Sequence, residues 1–170
     1  MSIQAILPRI MQVGEGASKE IPNVMASLGC KRPLIITDKM MVQLGYTSRL
    51  QDVLSRHMIF SDVFDNTMPE PTVSSIQSGV EKARNGDYDC IIALGGGSPI
   101  DSAKAIAILA KHGGKMRDYK FPRVVIESGL PIIAIPTTAG TGSEVTRFTI
   151  ITDEENDEKM LCVGIGFMPV

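Results

Sequence analysis

Short apolar runs alternate along this chain with longer stretches whose apolar positions fall three or four residues apart. The short runs, bounded by Gly, Pro or Asp, predict buried strands; the longer stretches predict amphipathic helices. Residues 10–13 read as a first strand, closed by Gly14 and Gly16. Ile21, Val24, Met25 and Leu28 then follow helical spacing, with Pro22 tolerable only in the first turn and Gly29 as the stop. Leu34-Ile35-Ile36-Thr37 is the next strand and ends at Asp38; residues 48–56 read as helix and 58–64 as strand. Pro71-Thr72 caps a helix whose Val73, Ile76, Val80 and Ala83 form one stripe. Cys90-Ile91-Ile92-Ala93-Leu94 is a buried strand, followed after three glycines by a helix carrying Ala103, Ala105, Ala107 and Ala110. Small side chains nearly all round suit a helix pressed against a sheet. Residues 131–135 form another strand stopped by Pro136, and 147–152 with 159–163 predict a hairpin. Its acidic tip, residues 153–158, reads as a solvated turn rather than a metal site. The alternation predicts an α/β fold: a Rossmann-like, mostly parallel sheet flanked by helices, plus a C-terminal β-hairpin, as one domain over residues 1–170.

Length and charge narrow the function classes. A chain of 170 residues suits one α/β domain with a real core. A net charge of −2 without a basic run gives no footing for nucleic acid or an anionic membrane surface. Met1-Ser2-Ile3-Gln4-Ala5 lacks a signal-peptide pattern, and no apolar stretch approaches membrane-spanning length. Cys30, Cys90 and Cys162 are scattered and odd in number, so they read as reduced small hydrophobes of a cytoplasmic protein, not a disulfide framework or a zinc site.

The junction after Leu94 carries the most chemistry. Gly95-Gly96-Gly97 leaves no side chains over the start of the following helix, with Ser98 read as N-cap, Pro99 as its first residue and Asp101 as an acid in the first turn. Exposed amides and the positive end of the helix dipole suit an anionic phosphate. Ile100 stands where a Gly-x-Gly-x-x-Gly fingerprint needs its third glycine, and no Gly-Lys-Ser/Thr triplet occurs, so a plain βα turn is an equal alternative at this point. Thr137-Thr138-Ala139-Gly140-Thr141-Gly142-Ser143-Glu144-Val145-Thr146 follows another strand and carries five hydroxyls. Open α/β sheets bind ligands at that carboxyl edge, and such hydroxyls can hold phosphate, ribose or base. Asp38 ends a strand at the same edge; its carboxylate suits ribose hydroxyls and repels a 2′-phosphate, favouring NAD over NADP. Capping the next helix is the competing role for Asp38. His57 and His112 have no second histidine three or four residues away, and Ser98, Ser143 and the threonines have no neighbouring base. No catalytic apparatus is visible.

Gly95-Gly96-Gly97-Ser98-Pro99-Ile100-Asp101-Ser102-Ala103-Lys104 and Pro136-Thr137-Thr138-Ala139-Gly140-Thr141-Gly142-Ser143-Glu144 together strongly resemble the iron-containing (group III) alcohol dehydrogenase family. Gly14-Glu15-Gly16-Ala17, Thr37-Asp38, Pro69-Glu70-Pro71-Thr72 and Ile151-Thr152-Asp153-Glu154 match in order and spacing. The resemblance implies hydride transfer between a nicotinamide cofactor and a small alcohol or aldehyde. It implies that Gly96, Gly97 and Ser98 hold the pyrophosphate with Asp101 close by, that Asp38 binds the adenosine ribose, and that Thr137, Thr138 and Thr141 line the adenine and phosphate side. Ser143, Thr146, Ile150 and Lys159 would lie towards the nicotinamide half. Glu70 departs from the family, standing where many relatives carry asparagine, and its charge is expected to weaken cofactor binding.

Family members run to roughly twice this length, which fits two domains. Their helical second domain supplies one aspartate and three histidines to a divalent metal, Fe2+ or Zn2+; that segment is absent from this sequence, and so is its Lewis acid. The chain therefore reads as the NAD-binding half of such an enzyme, inactive alone, from a homo-oligomeric parent such as a dimer. A stand-alone NAD-binding or regulatory module is the alternative from another class. A glycerol-dehydrogenase or dehydroquinate-synthase parent is disfavoured by residues 137–144 and 151–154.

Overall fold

The computed structural model describes residues 5–170, so the amino-terminal reading over residues 1–4 lies outside them. Four parallel strands, β1 (Pro33–Ile36), β2 (Asp62–Phe64), β3 (Cys90–Gly95) and β4 (Ile132–Pro136), form a sheet in the order β2-β1-β3-β4. An antiparallel pair, β5 (Phe148–Asp153) and β6 (Glu158–Val163), runs from Phe148 opposite Val163 to Asp153 opposite Glu158. The helices are α1 (Ile21–Leu28), α2 (Lys39–Gln43), α3 (Tyr46–Ser55), α4 (Val73–Asn85) and α5 (Gly97–His112). This is the expected Rossmann-like sheet with its hairpin. The described residues contain no all-helical second domain, and none of their helices is long and apolar enough to cross a membrane.

Successive strand residues point to opposite faces, so continuous apolar runs feed two cores. Leu34, Ile36, Ile91, Ala93 and Ile132 pack with α4, α5 and the hairpin. Ile35, Ile92, Leu94 and Ile133 pack with Ile21 and Met25 of α1 and Leu50 and Leu54 of α3. Helix α5 lies at the centre, buried at nearly every position from 99 to 109. Its alanines let other backbone approach: Leu130 N–H donates to the Ala107 carbonyl at 3.2 Å, and a Cβ on Gly129 would stand 2.7 Å from that carbonyl.

Several expectations are corrected. Residues 10–13 are irregular: they line a groove with Ile133 to Pro136 of the edge strand β4 but do not pair with it. Only Asp62–Phe64 of residues 58–64 is strand. The chain leaves α3 through a left-handed Met58 (φ 59°), and Ile59 N–H returns to the Leu54 carbonyl at 3.1 Å, which uses up the first half of that segment. The acidic tip is the expected hairpin turn, exposed over residues 154–157, with only its first residue departing. Asp153 is buried and pairs with the Arg117 guanidinium, which holds its carboxyl below the usual range.

Candidate functional site

Asp38 follows β1, the glycine turn follows β3 and the hydroxyl-rich loop follows β4, so one sheet edge carries all three. Gly95 ends β3 at φ 144°, a region that side chains avoid, and Gly96 is extended. Helix α5 starts at Gly97, not at Pro99. Ser98 is therefore inside the first turn rather than its cap, and Asp101 falls in the second turn. With no Cβ on Gly96 or Gly97, nothing obliges the helix to wait for Ser98. No side chain caps Gly96, so the first amides of α5 have no protein side-chain acceptor there.

The other loops close on these glycines. An added Cβ on Gly95 would meet the Asp38 Oδ2 at 3.6 Å and Pro99 Cγ at 2.7 Å. One on Gly96 would meet Thr138 Oγ1 at 3.1 Å; one on Gly97 would meet Ser143 Oγ and Thr141 Cβ, each at 3.4 Å. Backbone and threonine bonds fix the edge: Thr137 N–H donates to the Gly95 carbonyl (2.9 Å), Thr37 Oγ1 to Leu94 (2.8 Å), and Thr67 Oγ1 to Thr37 (2.8 Å). Asp38 fills the capping role, its Oδ1 accepting from Met41 N–H at 2.9 Å, while Oδ2 faces the glycine turn. The capping expectation is met, and the second carboxylate oxygen lies beside the glycine turn.

Asp101 and Thr146 are both half-buried and both meet Lys104. Asp101 Oδ2 accepts from Ile150 N–H (3.3 Å), and its backbone carbonyl accepts from Thr149 Oγ1 (2.9 Å). Burial raises the Asp101 carboxyl above its ordinary range, while Lys104 at 3.8 Å pulls the other way. Lys104 is fully buried and donates to the carbonyls of Thr146 (2.9 Å) and Phe148 (2.6 Å), with Thr146 Oγ1 at 3.3 Å. The Thr146 carbonyl thus ties the end of the hydroxyl loop to α5, while the half-buried residue remains at that loop's end. Lys104 was not among the candidates. Its signal is a lysine at the middle of an alanine-rich helix, flanked by small and apolar residues, where an ammonium needs buried acceptors.

Ile150 and Lys159 lie on the hairpin, and with Gly97, Ser98, Asp101, Glu70, Pro71 and Thr152 they line a cavity of about 240 Å³. Gly97 is thus shared between this cavity and the contact with Thr141 and Ser143. Glu70 Oε1 pairs with Lys159 Nζ at 3.0 Å, and Glu70 itself is held left-handed at φ 52°. Asparagine tolerates that conformation better than glutamate. Replacing Glu70 by asparagine is expected to raise the Tm by roughly 1–2 °C and to tighten NADH binding about twofold or more by freeing Lys159. Thermal melts and cofactor titration of Glu70→Asn check this; weaker binding would contradict it. A larger groove of about 460 Å³ follows the outer edge of β4, lined mainly by apolar residues such as Ile10, Val13, Ile133 and Ile135. It carries none of the glycine-exposed amides.

Comparison with known proteins agrees with this geometry. A family model described as iron-containing alcohol dehydrogenase matches residues 8–170. Alcohol dehydrogenase 4 of Saccharomyces cerevisiae is 36% identical over 163 residues, covering 96% of this chain and 43% of the yeast protein. A crystal structure of 1,3-propanediol oxidoreductase superposes with a TM-score of 0.93 at 30% identity, over 99% of this chain and 44% of that one. Sulfoacetaldehyde reductase from Bifidobacterium kashiwanohense, solved in complex with NAD+, gives 0.91 at 32% identity, over 99% of this chain and 45% of its own. The chain spans less than half the length of each of these relatives.

Proposed function

The chain belongs to the iron-containing alcohol dehydrogenase family, and from that membership we propose that residues 1–170 are its dinucleotide-binding domain, holding NAD(H) for a parent that interconverts small alcohols and aldehydes. The observation that carries the reading is the uncapped start of α5 behind a glycine turn, where added Cβ atoms on Gly95, Gly96 and Gly97 would meet Asp38, Thr138, and Thr141 with Ser143 respectively. A cradle that a Cβ would narrow, opening on free helix amides, fits a pyrophosphate. When bound, the cofactor supplies the hydride acceptor or donor. The amides of Gly97 and Ser98 and the α5 dipole stabilise its phosphate charge. Asp38 Oδ2 accepts from ribose hydroxyls. Thr137, Thr138 and Thr141 supply hydroxyls to the adenine and phosphate side, and Ser143, Ile150 and Lys159 border the nicotinamide side. Thr146 and Asp101 act as anchors of loop and hairpin.

The family's metal does not fit this chain, whose two histidines cannot furnish three histidine ligands. No step is derived through it. With NADH, short aldehydes and Fe2+ or Zn2+, the chain alone is expected to show no turnover above background; metal-dependent turnover would overturn that half of the reading. The parent is proposed as a cytoplasmic homo-oligomer.

Cofactor choice rests on Asp38, whose carboxylate repels a 2′-phosphate. NADH is expected to bind more tightly than NADPH, and Asp38→Gly to narrow or reverse the difference. A glycine at this cap costs only a few tenths of a kcal/mol, so the variant folds. Paired titrations decide the point, and tighter NADPH binding by the unaltered chain would refute it.

A further inference from the structure

Cys30, Asp89 and Cys90 bring two sulfurs and a carboxylate oxygen within 4.8 Å of one another. They lie at the amino ends of β1 and β3, the sheet edge opposite the glycine turn; the length of β3 puts them about 17 Å from Gly95. Among the described residues this is the one group of His, Cys, Asp and Glu side chains close enough to share a metal ion. Cys90 is fully buried and Cys30 is 7% exposed, so the Cys30 side of the group lies nearer solvent. Their wide spacing in sequence hides the pairing, because the parallel crossover from β1 through α4 to β3 is what joins them.

The surroundings hold the three groups in place. The Asp89 carboxylate accepts from Lys31 N–H at 2.7 Å and Arg32 N–H at 2.9 Å, and Asp89 N–H donates to the Arg32 carbonyl at 3.1 Å. Cys30 Sγ sits 3.8 Å from the Leu28 carbonyl and 3.9 Å from the Asp89 carbonyl. Each carboxylate oxygen keeps a second lone pair for a cation, and amide bonds to a ligating carboxylate orient it. No part of the cofactor reading uses these residues.

We propose that Cys30, Cys90 and Asp89 form a binding site for one thiophilic divalent cation of the zinc and cadmium class. Thiolates select such soft ions, and a two-sulfur, one-oxygen set leaves a fourth tetrahedral position for water at the Cys30 side. Burial holds both sulfurs as thiols, with Cys90 raised further. Binding therefore exchanges two thiol protons for the cation: two R–SH and M2+ give M(SR)2 and two H+.

Cadmium is the probe, titrated into the full chain kept reduced by a phosphine. The expected result is a sulfur-to-metal charge-transfer absorption that saturates at about one ion per chain. Cys30→Ser and Cys90→Ser should each weaken binding more than about tenfold. Cys162→Ser, a buried thiol in the other core, should leave it unchanged. If Cys90→Ser fails to fold, the nearly buried Cys30 carries the test through Cys30→Ser and Cys30→Ala. Absence of the band in the unaltered chain, its survival in Cys30→Ser, or its loss in Cys162→Ser would overturn the proposal. Cofactor binding is read separately, so the two claims fail independently.

Discussion

Lys104→Met is expected to lower the unfolding free energy by about 3 kcal/mol, the scale for removing one member of a buried ion pair. Methionine keeps the length of the side chain and removes its donors. The Thr146 and Phe148 carbonyls lose a donor each, and Asp101 loses its cation. Removing the desolvated ammonium returns part of that cost, but not the unpaired carbonyls. The pH dependence carries a definite sign. Burial lowers the Lys104 ammonium from 10.5 to about 8, outweighing the pull of Asp101 and Glu144. The unfolded lysine keeps its proton to about 10.4, so between these values the unfolded state binds more protons and stability rises with pH. Below pH 8 both states are protonated and the group contributes no slope. The gap between the unaltered chain and Lys104→Met should therefore widen from pH 8 to pH 10. Urea unfolding of both proteins across that range measures it; a gap that narrows would contradict the assignment.

Gly97→Asp is expected to weaken NADH binding by more than about a hundredfold, since like charges brought together in a binding interface cost several kcal/mol. Gly97 opens α5, and its added Cβ would lie at 3.4 Å from Ser143 Oγ and Thr141 Cβ, a contact that small shifts accommodate. An acid in the first turn favours the helix. Thermal stability should therefore hold or rise while binding disappears. Gly97→Ala is the graded control, filling less of the cradle without charge. Circular-dichroism melts beside fluorescence titration separate the two effects, and a Gly97→Asp protein that still binds NADH would remove the pyrophosphate from this turn.

What was legible in the chain follows from which forces act locally. The runs ending at Thr37 and Leu94 were plain because buried parallel strands are apolar on both faces. Thr72 was a readable cap because its Oγ1 accepts from Ser75 N–H, three residues on. The start of α5 was misplaced by two positions because glycines carry no side chain to mark a boundary. Residues 10–13 have a strand's composition but form no ladder with the nearby edge of β4, which only the tertiary fold decides. Asp38 was readable as either a cap or a ligand, and its two oxygens point to one task each. Thr146 and Asp101 carry the motif and also meet Lys104, a buried ammonium whose need for partners spacing alone does not reveal. The Cys30–Cys90 approach was invisible, since a crossover connection sets it and not spacing.

Hydrogen–deuterium exchange of the full chain with and without saturating NADH tests the central claim most directly, since amide protection reports where the cofactor lies. The account predicts saturable binding with protection concentrated at residues 96–98 and 137–146 and around Asp38. Protection centred on the groove along β4, or no change at any concentration of NADH, would contradict it.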